Sequence, residues 1–267
     1  MKGRVLIVAG SDSGGGAGIQ ADIKTVTMLD AFAATAVTAL TAQNTLGVFG
    51  VLPIDPAFIR QQMEVVLDDI GADAVKTGML HDEAVIRTVA AVLAERAAAV
   101  PLVLDPVMVA KGGAALIRTD AIDALKRLLV PRAAVLTPNL PEAEILCGRA
   151  IGDVAAMHEA ARALLGLGCR AVLLKGGHLP GEIVHDVLAT DSGMREWRSP
   201  RIDSRHTHGT GCTLASAVAA GLAQGLGIEA AVDRAREFVQ RAIAGAPGLG
   251  HGHGPLDHAH PLRPAGP

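Results

Sequence analysis

His206–Gly227 reads HTHGTGCTLASAVAAGLAQGLG, and the fold follows from how its two parts differ. Gly209 and Gly211 bracket Thr210, and Cys212 follows at once. After them comes a run of small and apolar residues, Leu214, Ala215, Ala217, Val218, Ala219, Ala220 and Leu222, which predicts a buried helix over Thr213–Leu226. A helix start carries free backbone N–H groups and the positive end of the macrodipole, so glycines there allow an anion to approach closely. A cysteine at that point gains thiolate stability from the same field. The stretch reads as an anion hole for phosphate beside a reactive thiol, or more simply as a flexible glycine turn before a core helix. The rest of the chain decides between them.

Outward from this stretch, short β-branched runs alternate with longer helical periods. Strands are expected at Val5–Ala9, Ala36–Leu40, Ala74–Lys76, Leu102–Leu104, Ala134–Leu136 and Ala171–Leu174. Helices are expected at Gly18–Asp30, Ala57–Ile70, Asp82–Arg96, Thr119–Leu129, Pro141–Cys147, Val154–Leu167 and Glu229–Ala244. A polar loop with Gln43 and Asn44 follows the second strand. Between Glu182 and Ile202 the period shortens to strict alternation around Asp191-Ser192-Gly193, which predicts an antiparallel hairpin. Repeated β-then-α implies a mostly parallel sheet with helices on both faces, an α/β architecture in a single domain. From about Gly248 the chain is rich in Gly, Pro and His and reads as an extended, solvated tail.

Net charge is −3 over 267 residues, which points to neither a nucleic-acid groove nor an anionic membrane surface. Only 2% of residues are aromatic against 50% hydrophobic, so Ala, Val, Leu and Ile must build the core. Cys147, Cys169 and Cys212 lack CxxC spacing, which argues against a disulfide framework or structural zinc and fits a reducing cytoplasm. No signal segment or membrane span is expected.

Polar or glycine residues close nearly every expected strand: Gly10-Ser11-Asp12, Gln43, Lys76-Thr77-Gly78-Met79, Asp105, Thr137-Pro138-Asn139 and Lys175-Gly176-Gly177. That edge of an open α/β sheet is where ligands bind. G-x-G-x-x-G, P-loop, G-x-S-x-G and H-E-x-x-H patterns are all missing. What is present suits phosphoryl transfer, which needs amides and a cation around the moving group and a metal held by carboxylates. Asp105 and Glu142 are the metal candidates, because Mg²⁺ takes one or two carboxylates plus phosphate oxygens and water. Lys175, after a buried strand, reaches phosphate oxygens. Glu142 alone also reads as a helix-start carboxylate, and Lys175 alone as a surface charge.

Taken together, GSDSGGGAGIQAD (Gly10–Asp22), TALTAQNT (Thr38–Thr45), KTGML (Lys76–Leu80), LDPVMVAKGG (Leu104–Gly113), TPNLPEAE (Thr137–Glu144), LLKGGH (Leu173–His178) and HTHGTGCTLASA (His206–Ala217) resemble the hydroxymethylpyrimidine and phosphomethylpyrimidine kinases of thiamine biosynthesis, within the ribokinase-like superfamily. The resemblance implies a three-layer αβα sandwich with an antiparallel hairpin at one edge of its sheet. It implies ATP- and Mg²⁺-dependent phosphorylation of 4-amino-5-hydroxymethyl-2-methylpyrimidine and its monophosphate, in a homodimer. Carried over residue by residue, the pyrimidine site is Gly10, Asp22, Gln43, Met79 and Val107. The metal region is Asp105, Asn139 and Glu142, with Lys175, Thr207, Gly209 and Gly211 on the nucleotide. Gly209, Thr210 and Gly211 form the anion hole, with Lys175 beside the moving phosphate and Cys212 as base, its thiol lowered toward neutrality by the helix start. The glycine-bearing Val107–Gly113 stretch would make a mobile loop.

The chain departs from the family after GHGHGPLDH, where AHPLRPAGP replaces closing aromatics. Rival readings are a pyridoxal kinase, which shares the cysteine and anion hole, a cysteine hydrolase pairing Cys212 with His206 or His208, and a non-catalytic binder on the same fold.

Overall fold

The computed structural model describes residues 1–108 and 119–263. Residues 109–113 of the expected loop therefore lie outside the described residues. Strands β1 (Arg4–Ala9), β2 (Phe32–Val37), β5 (Ala74–Thr77), β6 (Leu102–Leu104), β7 (Ala133–Leu136) and β8 (Ala171–Lys175) pair in parallel, and β9 (Ile183–Thr190) and β10 (Gly193–Pro200) add the antiparallel hairpin. The order across the sheet is β10-β9-β8-β7-β6-β5-β1-β2. Central strands such as β1 and β7 are buried on both faces, which is why they read as continuous apolar runs rather than alternating ones.

Helices cover each face. α1 (Gly18–Met28), α7 (Thr210–Ala223) and α8 (Ile228–Ala244) pack on one side through Val26, Leu214, Val218 and Val232. α2 (Pro56–Asp69), α3 (Glu83–Arg96), α4 (Thr119–Ala124), α5 (Leu140–Cys147) and α6 (Val154–Leu165) cover the other through Ile59, Val89, Ala124, Leu146 and Leu164. Small residues make the α7–α8 contact close: a Cβ on Gly221 would lie 2.7 Å from Ala231 Cβ. The αβα architecture is as expected.

Three local expectations fail. The run read as one strand over Ala36–Leu40 is split, with β2 ending at Val37 and a new strand, β3 (Ala39–Asn44), leaving the main sheet. The predicted polar loop around Gln43 is the end of β3, and β4 (Gly47–Pro53) pairs with it as a separate two-stranded sheet. Along β3, Ala39, Thr41 and Gln43 face inward while Leu40, Ala42 and Asn44 are exposed. The helix expected over Thr119–Leu129 changes pitch and widens to a π turn at Leu125–Leu129.

Nor is the segment after Gly248 an extended solvated tail. The His253 and His208 backbone N–H groups donate to Thr45 O and Gly254 O respectively, and the Asp257 N–H donates to Ala242 O. His258 is buried with its Nε2 2.9 Å from Thr213 Oγ1, and the His260 ring packs on Phe238. Close approach explains the glycines here: a Cβ on Gly252 would lie 2.1 Å from Thr45 O. A docked coil has no hydrophobic period, so composition alone misread it.

Candidate active site

The C-terminal ends of β1, β5, β6, β7 and β8 converge on the start of α7. Gly209 caps that helix at φ +81°, and a Cβ there would lie 1.8 Å from Gly16 O, so only glycine fits between the two loops. The Thr210 hydroxyl donates to Thr207 O (2.8 Å) and closes the turn. The first bond within α7 runs from Thr213 N–H to Gly209 O. The amides of Gly211 and Cys212 precede it and are left at the positive end of the helix. Thr207 thus shapes the loop through its carbonyl.

Lys175, at the end of β8, stands over this loop. Its Nζ is 3.1 Å from Asp105 Oδ1 and 3.2 Å from where a Cβ on Gly211 would sit. Burial opposes the ammonium, but Asp105 and Glu142 outweigh it and hold the pKa above the ordinary lysine value. The Lys175 charge is therefore present at neutral pH, aimed at the anion hole. The structure brings Lys175, Asp105, Glu142 and the α7 start together.

Asp105 receives the Thr137 hydroxyl on the same oxygen, Oδ1, at 3.0 Å, while Oδ2 faces Gly211. Asn139 and Glu142 form a reciprocal capping box at the start of α5. Asn139 N–H donates to Glu142 Oε2 (2.8 Å), and Glu142 N–H donates to Asn139 Oδ1 (2.9 Å). Burial pushes the Glu142 carboxyl up to about 7, against the pull of Lys175. Asn139 thus spends one lone pair of its amide oxygen on the α5 cap, as Glu142 spends Oε2 on the Asn139 N–H. Among the described residues no cluster of three His, Cys, Asp or Glu could hold a metal alone. Asp105 and Glu142 still fit Mg²⁺, which binds through one or two carboxylates and completes its shell with phosphate oxygens and water.

Cys212 contradicts its expected chemistry. The helix start was expected to lower its thiol toward neutrality. Burial instead pushes it up to about 12, only partly offset by Lys76 and the Gly18 amide and reinforced by Asp22 and Asp105. Burial dominates the shift even though Cys212 stays partly exposed at the start of α7.

Of the residues expected to hold the pyrimidine, Gly10 and Met79 touch. A Cβ on Gly10 would lie 2.5 Å from Met79 Cε, so the thioether forms a soft wall over the end of β1. Val107 is half-buried just after Asp105. Gln43 reaches the same region from β3, its backbone N–H and carbonyl both bonded to Ser13 Oγ at 2.8 Å. Asp22 does not line the site. Its side chain is 0% exposed and bidentate to Lys76 Nζ at 2.9 Å, with Ser216 Oγ donating at 2.7 Å. A carboxylate with those three bonds is committed to the core.

Two residues that sequence reasoning did not place in the site organise it. Buried Asp12 accepts from the backbone N–H groups of Gly14 (2.8 Å), Gly16 (3.0 Å) and Ala17 (2.8 Å), and pairs with His208 Nε2 at 2.9 Å. The Asp12 pKa is lowered: burial raises it, but these bonds outweigh the burial. An aspartate ahead of a glycine run is an Asx-turn signal that was legible in Asp12–Gly16. His208 gave none. The two histidines of the hydrolase reading are engaged elsewhere: His206 Nδ1 accepts from Gly254 N–H at 3.2 Å, and His208 serves Asp12. Neither is hydrogen-bonded to Cys212 among the described residues, so no Cys–His pair exists.

Comparison with known proteins agrees with this geometry. The family model described as phosphomethylpyrimidine kinase matches residues 12–257. The chain is 47% identical to the Bacillus subtilis hydroxymethylpyrimidine/phosphomethylpyrimidine kinase, across 96% of this chain and 94% of that protein. It is 52% identical to the thiamine biosynthesis bifunctional protein ThiED of Geobacter sulfurreducens over 96% of this chain, which spans 52% of that longer protein. The ADP complex of Bacillus subtilis pyridoxal kinase superposes with a TM-score of 0.90 at 39% identity, covering 97% of this chain and 98% of the other.

Proposed function

The chain belongs to the phosphomethylpyrimidine kinase family, and from that membership and the site geometry we propose that it phosphorylates 4-amino-5-hydroxymethyl-2-methylpyrimidine and its monophosphate with ATP, in thiamine biosynthesis. The observation that carries this is the Lys175 ammonium standing over the glycine-marked start of α7, beside Asp105 and Gly211. Fixed donors aimed where charge develops are the main device of phosphoryl transfer. Asp105 and Glu142 are the residues that would hold Mg²⁺, which would supply neutralisation of phosphate charge. Lys175 follows the transferring group, and the α7 amides accept its oxygens. Gln43 pairs with the aminopyrimidine edge, and Met79, Gly10 and Val107 bound the ring. A coupled ATP-consumption assay over pyrimidine and pyridine alcohols tests the assignment. Preference for pyridoxal, with no turnover of the pyrimidine monophosphate, would replace it with the pyridoxal kinase reading that the ADP-complex neighbour favours.

Cys212 is the group we assign to take the hydroxymethyl proton. With the resting thiol at about 12, the thiolate fraction grows tenfold with each pH unit below that value. The wild-type kcat is therefore expected to climb between about pH 7 and 9. Cys212→Asp, already ionised there, should show a flat profile, and Cys212→Ala should lose roughly 100-fold in kcat. An alanine variant within a few-fold of wild type removes the base role.

We further assign a homodimer built on the β3–β4 sheet. An isolated two-stranded sheet is marginal in water. Here its outer face pairs Leu40 with Leu52 across the strands and leaves Phe49 71% and Leu52 62% exposed. A second copy of this uncharged face covers it. Sedimentation should give a dimer for the wild type and a monomer for Leu52→Asp. A dimer that survives Leu52→Asp and Leu40→Asp together rejects this interface. No helix among the described residues is long and apolar enough to cross a membrane. With free Cys147, Cys169 and Cys212, we place the chain in the cytoplasm.

A further inference from the structure

His208 Nε2 lies 2.9 Å from Asp12 Oδ2 and 3.2 Å from the side-chain nitrogen assigned to Gln43, in a pocket that leaves the imidazole 12% exposed. These contacts impose a proton count. Asp12 is an ionised acceptor already holding three amides, so His208 Nε2 must carry the hydrogen it shares with Asp12. A protonated ring nitrogen cannot accept, and an amide NH₂ cannot face it.

The other end of Gln43 shows the same conflict. Thr41 Oγ1 has one hydrogen, and at 2.9 Å it goes to Ser11 O, yet Gln43 Oε1 stands 3.3 Å away also as an acceptor. Exchanging the amide oxygen and nitrogen of Gln43 removes both conflicts at once. The two atoms have the same shape, so hydrogen-bond partners alone decide their assignment. Oε1 then becomes the second, longer acceptor of the one Nε2–H that His208 gives to Asp12, and the NH₂ donates one hydrogen to Thr41 Oγ1.

We propose that Asp12, His208, Gln43 and Thr41 form a proton-ordered relay in which His208 is a positioning residue that locks the Gln43 amide, setting the enzyme's selectivity for an aminopyrimidine. So locked, Gln43 keeps one N–H and one oxygen lone pair for a ligand. That is the complement of a ring nitrogen beside an exocyclic amine. The selectivity half rests on the assignment of Gln43 to the pyrimidine site, and the relay itself does not. The relay also joins the two loops, because His208 belongs to the anion-hole segment while Gln43 belongs to β3. The His208 backbone N–H is anchored by Gly254 O, so the docked C-terminal segment holds the imidazole in place.

The ring protonation of His208 can be read by long-range ¹⁵N–¹H correlation on the full-length ligand-free chain, assigned with His208→Gln. A protonated Nε2 is the expected result, and a bare Nε2 overturns the relay. In kinetics, His208→Leu should lower the kcat/KM ratio of hydroxymethylpyrimidine to pyridoxal about tenfold, mainly through KM for the pyrimidine. His208→Gln, which restores an N–H donor, should recover most of it. Unchanged selectivity in His208→Leu, when Gln43→Ala loses it, overturns the proposal. Unchanged selectivity in Gln43→Ala rejects the substrate role of Gln43 instead, and the protonation of Nε2 in the spectrum then decides for or against the relay.

Discussion

Lys76→Met is expected to cost the folded chain about 3–5 kcal/mol, the largest stability effect of any single substitution argued for this protein. Lys76 and Asp22 are both 0% exposed and share two bonds of 2.9 Å. Burial works against the ammonium, yet Asp22, Cys212 and Asp105 together hold its pKa above the ordinary lysine value. Removing the lysine strands a carboxylate in the core, where an unpaired charge has no solvent to turn to. Replacing the pair by apolar residues, Lys76→Met with Asp22→Leu, should restore much of the loss despite the Ser216 hydroxyl left without its acceptor. Urea unfolding of the three proteins measures this. A single variant within about 1 kcal/mol of wild type would show the pair to be energetically idle.

Lys175→Met should cut kcat by about 10²- to 10³-fold while leaving KM for the pyrimidine alcohol near its wild-type value. The ammonium stands over the start of α7, beside Asp105 and Gly211, so the contribution we assign it grows only as charge gathers on the moving phosphate. The substitution also removes the cation that pulls the Glu142 carboxyl down, which disfavours its ionisation and weakens metal capture. Steady-state kinetics at saturating and limiting Mg²⁺ separate the two losses. Equal falls in kcat and in pyrimidine affinity would instead place Lys175 in substrate binding.

The layered architecture was legible because parallel strands buried on both faces must be apolar throughout, as in β1 and β8. The amphipathic helices that cover them carry their own period. The start of α7 was legible for a similar reason: Gly209 and Gly211 ahead of an apolar run mark a tight helix entry. What escaped was every feature that depends on a distant partner. Leu40 looks like an ordinary strand residue, and Leu52 belongs to no expected element, until β3 leaves the main sheet, pairs with β4 and exposes both. Asp22 looks like a ligand-edge carboxylate until α1 packs against α7 and delivers it to Lys76 and Ser216.

Local order in the chain, its periods and its glycine positions, was enough to determine layers, strand direction and the glycine loop that opens α7. Those properties arise from backbone geometry and burial within a dozen residues. Tertiary packing alone decided the protonation chemistry: a thiol expected near neutrality rises to about 12, and an aspartate becomes a core ion pair. Desolvation and charge pairing act through space between residues far apart in sequence, as between His208 and Asp12, and no linear pattern records them.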